Sequence, residues 1–380
     1  MEKTDGPIED AMLDLELTTH CNLSCAWCFV RAVRPNQHMK LDLALALMKE
    51  ARNTGFEQLH LTGGEPFVYP FLDHILDAAE ALRFRHVIIN TNGTLLTPAR
   101  AEALARRNLP ISLTISCDGP ADHHERNRGT GTYRPTIAGI QAALDADLPT
   151  TIFSIASRSI MPELFSFIVS MFKRFPRIAG LTLIPLGDIT SGSRTNDDSA
   201  IHEDVLTPSQ VVDLGVLSGA FLLTGRRVTV LDYPLVNLVY RKASLPVSLV
   251  GSHCTACRNR LSVQADGTIT PCHPVWTPLA TYEPGILRPL LMGKQCQAIA
   301  TRDFEGCRTC PDRDICGHCR AVVLAATGDI LGNDWACRPL RAAMDQRDIK
   351  HEMERRITAI EAAFSQPAFD QAQEERHVAL

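Results

Sequence analysis

Residues 12–28 read MLDLELTTHCNLSCAWC, a run of alternating apolar residues that passes directly into three cysteines. The alternation predicts a half-buried β-strand from Met12 to Leu17. Cys21, Cys25 and Cys28 are spaced by three and then two residues. A cube of four irons and four sulfides normally takes four thiolates, so three cysteines would leave one iron open to a small molecule. The alternative is that these cysteines form one buried face of a helix, since free cysteine is often a core residue.

The composition limits the class of protein. The chain has 380 residues and a formal net charge of -5, and its length suits one domain of barrel size plus a smaller one. The sequence has no Lys/Arg-rich run, no apolar run of about eighteen residues and no secretory signal. We therefore expect a cytoplasmic protein that binds neither nucleic acid nor membrane. Because thiols stay reduced in the cytosol, thirteen cysteines indicate metal or iron-sulfur ligation rather than disulfides.

Short apolar runs alternate with segments of helical period from residue 12 to about 225. This pattern predicts an α/β fold with a parallel sheet, in the form of a partial (β/α)6 TIM-like barrel or an open wound sheet. The predicted strands are Met12 to Leu17, Gln58 to Leu61, His86 to Ile89, Ile111 to Ile115, Thr150 to Ile155 and Leu181 to Pro185. The predicted helices are Leu41 to Arg52, Phe71 to Leu82, Thr97 to Arg106, Thr136 to Ala146, Pro162 to Phe175 and Thr207 to Leu223.

The chain is divided into four parts by its composition. We expect the barrel over residues 1–225, a linker over 226–250, a small cysteine-rich α+β domain over 251–345, and a helix with a loose tail over 346–380. The final helical segment is predicted to run roughly from Pro339 to Phe364. The cysteine-rich region has little periodicity, so it is expected to need bound metal to hold its fold. The polar stretch 187–204 is expected to be a mobile surface loop.

The cysteine loop resembles the hallmark of the radical S-adenosylmethionine (radical SAM) superfamily, including the aromatic Trp27 before the third cysteine. The resemblance implies a 4Fe-4S cluster on Cys21, Cys25 and Cys28. It also implies that the amino and carboxylate groups of S-adenosylmethionine chelate the open iron. One-electron reduction then cleaves the sulfonium and gives a 5'-deoxyadenosyl radical.

Further motifs resemble the family's cofactor contacts at the ends of the next strands. Thr62 is followed by the sequence GGEP, residues 63–66, which resembles the family's amino-binding motif. Taken alone, this sequence could be a simple turn. The segment 121–128 resembles the family's carboxylate-binding pattern, although HHERNR alone suits a solvated loop. The implied cofactor-binding residues are Gly63, Gly64, Glu65, Pro66, Asn90, Asn92, Ser116, Asp118 and Arg128.

Nine cysteines lie between Cys254 and Cys337: six of them form three Cys-x2-Cys pairs, and with Cys272 and Cys337 they make two sets of four. Thiolates of this spacing suit structural zinc as well as iron-sulfur clusters. The pattern resembles the SPASM extension of radical SAM enzymes, which implies two auxiliary 4Fe-4S clusters. The implied ligands are Cys254, Cys257, Cys272 and Cys319 for the first, and Cys307, Cys310, Cys316 and Cys337 for the second. Cys296 is left over, as a core thiol or as an alternative ligand if Cys319 does not reach.

The resemblance implies a radical SAM oxidoreductase that oxidatively modifies a peptide or protein side chain, for example by a thioether or carbon-carbon crosslink. The alternatives are a sulfatase maturase that makes formylglycine, a dehydrogenase for a small-molecule alcohol, and a non-catalytic iron-sulfur scaffold. Candidate bases are His273, Asp188 and Asp334. Expected partners are the peptide, a low-potential electron donor of the flavodoxin or ferredoxin type, and a separate leader-recognition protein, since strand one already begins at Met12.

Overall fold

The computed structural model describes residues 10–28, 30, 36–187, 203–231, 233–245, 254–300, 309–312, 315–316, 319–332 and 336–366. Three of the predicted site residues, Asp188, Cys307 and Asp334, lie outside the described residues. So does nearly all of the polar stretch predicted to be a surface loop.

The described strands form one ten-stranded sheet in the order β10-β9-β8-β1-β2-β3-β4-β5-β6-β7. Strands β1 to β7 are parallel neighbours, β8 pairs in parallel with β1, and β9 and β10 continue as antiparallel strands. The strands are β1 (Met12–Thr18), β2 (Gln58–Gly63), β3 (His86–Thr91), β4 (Ile111–Ser116), β5 (Thr150–Ala156), β6 (Gly180–Pro185), β7 (Val228–Val230), β8 (Arg260–Val263), β9 (Thr268–Thr270) and β10 (Ala280–Thr281). The predicted α/β fold with a parallel sheet of barrel type is confirmed, and the six predicted strands agree within two residues at each end.

Helices connect these strands and pack on the sheet. They are α1 (Leu41–Thr54), α2 (Leu72–Ala81), α3 (Pro98–Ala105), α4 (Ala121–Arg128), α5 (Tyr133–Asp145), α6 (Met161–Arg174), α7 (Pro208–Leu223), α8 (Val236–Lys242), α9 (Leu287–Leu291), α10 (Lys294–Ala300), α11 (Arg320–Thr327), α12 (Cys337–Asp345) and α13 (Ile349–Ser365). A short 3-10 helix spans Pro66–Val68. Among the described residues, none of the helices combines the length and apolar character needed to cross a bilayer.

Alternation along the strands separates an apolar face from a polar one. In β1, Leu13, Leu15 and Leu17 are fully buried in the hydrophobic core. The intervening Asp14 and Glu16 are also buried, at 0% and 1% exposure. Successive side chains of a strand point to opposite faces, so the carboxylates lie on the face opposite the leucines. The carboxyl ends of β1 to β4 meet at one edge of the sheet, where the predicted site residues follow.

Three segments differ from their predictions. The charged segment 121–128 is helix α4, whose acidic Asp122 in the first turn and basic Arg128 in the last complement the helix dipole. Residues 226–250, expected to be a linker, contain β7 and α8. The predicted final helix is two helices, α12 and α13, which meet at residues 346–348. Strands β8 to β10 of the cysteine-rich region extend the barrel sheet itself, while the domain boundaries stay a prediction.

Candidate active site

The three cysteines of the first loop follow β1 at the carboxyl edge of the sheet. Cys21, Cys25 and Cys28 are half-buried and form no disulfide. The backbone N–H of Leu23 donates to Cys21 Sγ at 3.4 Å. Burial raises the pKa of the Cys21 thiol to about 11 and also raises the pKa of Cys25, where the Arg128 charge opposes it. Burial therefore favours the protonated form of Cys21 and Cys25 until a metal displaces their protons.

Two glycines hold this loop against the end of β2. A Cβ on Gly63 would lie 2.1 Å from Thr18 O, and one on Gly64 would lie 2.0 Å from His20 O. Gly63 also has a φ of +138°, which favours glycine. The Gly64 N–H donates to Thr18 O at 2.6 Å, and the Glu65 N–H donates to His20 O at 2.8 Å. The glycines are thus required where two backbone segments of this chain meet.

A Gly64→Ala substitution is expected to lower the free energy of unfolding by about 1–3 kcal/mol, as overpacking does, because backbone at His20 cannot move aside as a flexible side chain would. It should also lower the iron held by the cysteine loop. Urea denaturation and iron analysis measure the two effects. Gly131→Ala is the control, since its Cβ would meet nothing within 4 Å although its φ is +79°. Equal iron loading in Gly64→Ala and Gly131→Ala would contradict this role.

Glu65 stabilises the GGEP motif through hydrogen bonds in the interior of the protein. Its carboxylate is fully buried and accepts hydrogen bonds from Thr91 Oγ1 and the Asn92 N–H, both at 2.8 Å, and from the Phe67 N–H at 3.1 Å. Burial raises its pKa, while these hydrogen bonds oppose the rise. The carboxylate therefore ties the end of β2 to the end of β3. Pro66 begins the short 3-10 helix that follows.

The end of β3 presents two asparagines. Asn92 Nδ2 donates to Asn22 Oδ1 at 2.9 Å and lies 3.8 Å from Cys21 Sγ. Asn90 Oδ1 is buried without a hydrogen-bond partner among the described residues. Buried polar atoms are nearly always paired, so this oxygen indicates a missing donor such as a ligand hydroxyl. Ser116 lies at the end of the neighbouring strand β4.

Asp118 and Arg128 form a buried ion pair below the cysteine loop. Arg128 Nε and Nη2 donate to the two oxygens of Asp118 at 2.7 and 3.1 Å, and Asp118 is fully buried. Burial alone would raise the pKa of Asp118, but the Arg128 charge and the hydrogen bonds hold it below its usual range. These two contacts use Nε and Nη2 and leave Nη1 outside the pair with Asp118.

Helix α4 also accepts hydrogen bonds from the cysteine loop directly. The Ala26 N–H donates to Asn127 O at 2.7 Å, and the Trp27 N–H donates to Asn127 Oδ1 at 3.3 Å. Asn127 Nδ2 in turn donates to Asp118. The ring of Trp27 packs at 6.2 Å from that of His123. The loop is therefore fixed from three sides, by the ends of β2 and β3 and by α4.

His273 lies at the carboxyl end of β2, although it is distant in sequence. Its Nε2 is 3.3 Å from Thr62 Oγ1, next to the two glycines. Its ring makes an edge contact with His60, at 6.5 Å between centroids. His60 Nδ1 is 3.0 Å from Asp14 Oδ1, and Arg260 holds both oxygens of Asp14 at 2.8 and 2.9 Å. Of this polar group only His273 was predicted from the sequence, although the alternation in β1 and β2 places Asp14 and His60 on one face.

The cysteine-rich region brings two thiols into contact near β8. Cys296 Sγ lies 2.7 Å from Cys257 Sγ, and both side chains are buried. The contact with Cys296 and burial raise the pKa of the Cys257 thiol. Cys296 thus lies beside one of the four residues predicted for the first auxiliary cluster.

A second thiol group lies at the start of α12. Arg341 Nε donates to Cys337 Sγ at 3.4 Å, and its Nη2 donates to Cys310 Sγ at 3.5 Å and to Asp312 at 2.7 Å. Two residues predicted for the second cluster therefore share one arginine. Cys316 and Cys319 are half-buried.

The described donor groups differ in the metals that they can hold. No group of three or more His, Cys, Asp or Glu side chains among the described residues converges on a point that one metal ion could occupy. A tetrahedral zinc site would need its thiolates about 4 Å apart around one centre, since the Zn–S bond is about 2.3 Å. A cube of four irons binds its thiolates at separate corners, so its ligands need not converge on one point. The chemistry of three half-buried free thiols suits such a cluster with one open iron, and the orphaned Asn90 Oδ1 is an acceptor for a ligand on that iron.

Comparisons with known proteins agree with this site. Residues 15–158 match the model of the Radical SAM superfamily, and this region runs from β1 through the ends of β2 to β5. The PqqA peptide cyclase of Granulibacter bethesdensis is 26% identical over 342 residues, which cover 85% of each chain.

Two solved structures have a similar fold. The anSMEcpe structure with bound AdoMet and the Kp18Cys peptide has a TM-score of 0.69 and 18% identity, covering 92% of this chain and 99% of that one. Streptococcus suis SuiB bound to precursor peptide SuiA has a TM-score of 0.66 and 16% identity, covering 87% of this chain and 76% of that one. Residues 15–158, which include the three cysteines at the sheet edge, are thus similar to the radical SAM superfamily.

Proposed function

We propose that this protein is an oxidoreductase that cleaves S-adenosylmethionine reductively and uses the radical to modify a side chain of a peptide or protein. The observation that carries the proposal is the contact between His273 and Thr62. It brings the cysteine-rich region to the rim of the barrel, within a few residues of the GGEP motif. His273, a side chain from the cysteine-rich region, can therefore take part in the reaction that we propose to start at the barrel site.

The comparisons support a peptide rather than a small molecule. The PqqA peptide cyclase similarity extends over most of both chains, not only over the barrel. SuiB and anSMEcpe, which share the fold, have structures with bound peptides. We extend the peptide substrate to this chain by analogy, with a thioether or carbon-carbon crosslink as the product class.

The residues of the barrel have separate roles in this proposal. When bound at Cys21, Cys25 and Cys28, the cluster and S-adenosylmethionine would supply the 5'-deoxyadenosyl radical that removes a hydrogen atom from carbon. Asn90 and Arg128 orient the cofactor through the donors and acceptors described above. Glu65 and the glycines keep the loop in place. His273 accepts the proton that the oxidised substrate loses.

Oxidative chemistry needs an electron acceptor after hydrogen abstraction. We propose that the cysteines of the cysteine-rich region hold two auxiliary 4Fe-4S clusters, which when bound would supply the acceptor for this electron. A flavodoxin or ferredoxin in a reducing cytoplasm would supply electrons to the first cluster. A separate leader-recognition protein would present the peptide.

The role of His273 is tested by His273→Ala. We expect the modified peptide to decrease by about 100-fold or more, as for loss of a general base. Formation of 5'-deoxyadenosine should change by less than about twofold, because the proposed role of His273 comes after S-adenosylmethionine has been cleaved. Mass spectrometry of peptide and nucleoside in one reaction measures both. His74→Ala, at an exposed position on α2, is the control. Equal loss of both products in His273→Ala would contradict the assignment.

The substrate class is tested with candidate peptides encoded beside this protein. The purified, iron-loaded enzyme with dithionite and S-adenosylmethionine should give a peptide lighter by two hydrogen atoms per crosslink. A sugar or cyclitol alcohol oxidised in place of every peptide would support the small-molecule dehydrogenase instead. Formylglycine in a sulfatase peptide would support the sulfatase maturase.

A further inference from the structure

Asn127 joins two parts of the candidate site that bind different groups. Its side chain is on α4 with 5% exposure, and it precedes Arg128 in sequence. Its Oδ1 accepts from the Trp27 N–H at 3.3 Å, and its Nδ2 donates to Asp118. Its backbone carbonyl accepts from the Ala26 N–H at 2.7 Å. One buried residue thus contacts both the cysteine loop and the Asp118–Arg128 ion pair.

The two partners of this side chain need opposite groups. The Trp27 N–H is a donor and needs an oxygen, whereas the Asp118 carboxylate is an acceptor and needs an N–H. The amide of asparagine supplies both. An aspartate of the same size would keep the acceptor for Trp27 but would set a second negative oxygen against Asp118. A leucine of similar volume would supply neither group.

Asp118 fixes the Arg128 guanidinium in turn. Its two oxygens accept from Arg128 at 2.7 and 3.1 Å in a bidentate pair, and one of them also accepts from the Ile155 N–H at 3.1 Å. The side chain of Arg128 is only 14% exposed. A shift of Asp118 relative to the cysteine loop would therefore move the guanidinium with it. Asn127 bonds to both the loop and Asp118, so it controls this spacing.

We propose that Asn127 is a positioning residue that sets the affinity for S-adenosylmethionine, by holding Arg128 at a fixed distance from the cysteine loop. The loop would hold the iron that the amino and carboxylate groups of S-adenosylmethionine chelate, and Arg128 would bind the same carboxylate. Both contacts form together only when the loop and the guanidinium keep their spacing. This inference rests on the proposed function, in which the chain binds S-adenosylmethionine at this site.

The test uses the full chain after anaerobic reconstitution with iron and sulfide. Equilibrium dialysis without reductant measures binding of S-adenosylmethionine, and iron per chain is measured on the same samples. Asn127→Asp should weaken binding by about 10- to 100-fold, as for residues that support a metal ligand. Its iron content should equal that of the original chain, because the three cysteines and the Ala26 hydrogen bond remain. With dithionite, the KM for S-adenosylmethionine should rise by the same factor, while kcat for 5'-deoxyadenosine stays within about twofold.

Two further variants separate positioning from charge and from folding. Asn127→Leu adds no charge and should also weaken binding by about tenfold or more, with unchanged iron. Gln141→Glu is the matched control, because Gln141 on α5 also donates its amide to a carboxylate, that of Asp145, at 2.7 Å on the exposed surface. This substitution makes the same change of amide to carboxylate away from the cysteine loop. It should leave the affinity within about twofold of the original.

Two results would overturn the role of Asn127. One is an unchanged affinity for S-adenosylmethionine in either variant that retains its fold; Asn127→Leu decides if Asn127→Asp does not fold. The other is a loss of iron that matches the loss of binding, since a residue that only stabilises the loop would lower the two together. An original chain that holds iron but binds no S-adenosylmethionine would instead refute the proposed function, and this inference with it.

Discussion

A chain in which Cys25 is replaced by alanine is expected to form no measurable 5'-deoxyadenosine from S-adenosylmethionine. Only two thiolates would remain for a cluster that has three in this loop, and the half-buried loop offers no thiol in its place. Changes to residues that merely surround a metal ligand cost about 10- to 100-fold, so loss of the ligand itself should exceed that range. Nucleoside formation with dithionite, followed by mass spectrometry, measures the effect.

Cys117→Ala is the control for this prediction. Cys117 is fully buried at the end of β4, its Sγ lies 3.9 Å from Gly119 O, and it belongs to none of the thiol groups described. Its replacement should leave nucleoside formation within about twofold of the original chain, since it touches no reacting group. A wild-type yield of 5'-deoxyadenosine from Cys25→Ala would contradict cleavage of S-adenosylmethionine at this cysteine loop.

Replacing Asp118 with alanine should destabilise the whole barrel. The substitution leaves the Arg128 guanidinium, with 14% of its side chain exposed, buried without its carboxylate. Breaking a buried ion pair by removing one partner costs about 3–5 kcal/mol, because the remaining charge is uncompensated. Asp118 also accepts from Asn127 and the Ile155 N–H, and these donors would lose their acceptor too. The free energy of unfolding from urea titration measures the loss.

An exposed ion pair of the same type gives the comparison. Arg107 pairs with Asp77 on the surface, where the side chain of Asp77 is 69% exposed. Asp77→Ala should cost less than about 1 kcal/mol, because water and salt screen such pairs. The double variant Asp118→Ala/Arg128→Met should recover part of the loss, since no buried charge remains unpaired. Equal stability of Asp118→Ala and Asp77→Ala would contradict the buried pair.

The barrel strands could be predicted because each is a short apolar run bounded by turn residues. Helix α4 could not, because its stability comes from charge placement and contacts with the cysteine loop rather than from an apolar stripe. Strands β8 to β10 were not predicted from the sequence, for another reason. Each is only two to four residues long and depends on pairing with β1 or with the others. Sequence periodicity carries little information about such short, paired segments.

The cysteines and glycines of the site follow from local spacing, so the sequence indicates them directly. The partners of Glu65 do not, because Thr91 and Asn92 reach it only when β2 and β3 lie side by side. The approach of Gly64 to His20 depends on the same packing. The thiol contact between Cys257 and Cys296 joins residues 39 positions apart through a turn and a helix. Long-range contacts of this kind require the folded chain.

Electron paramagnetic resonance of the first cluster tests the central claim most directly. The chain with Cys254, Cys257, Cys272 and Cys337 changed to alanine, which weakens the auxiliary groups, is loaded with iron, reduced with dithionite, and measured with and without S-adenosylmethionine. We predict a reduced 4Fe-4S signal whose g values shift when S-adenosylmethionine is added, because the cofactor binds the iron that Cys21, Cys25 and Cys28 leave open. A cluster signal unchanged by S-adenosylmethionine would contradict an open iron in this loop.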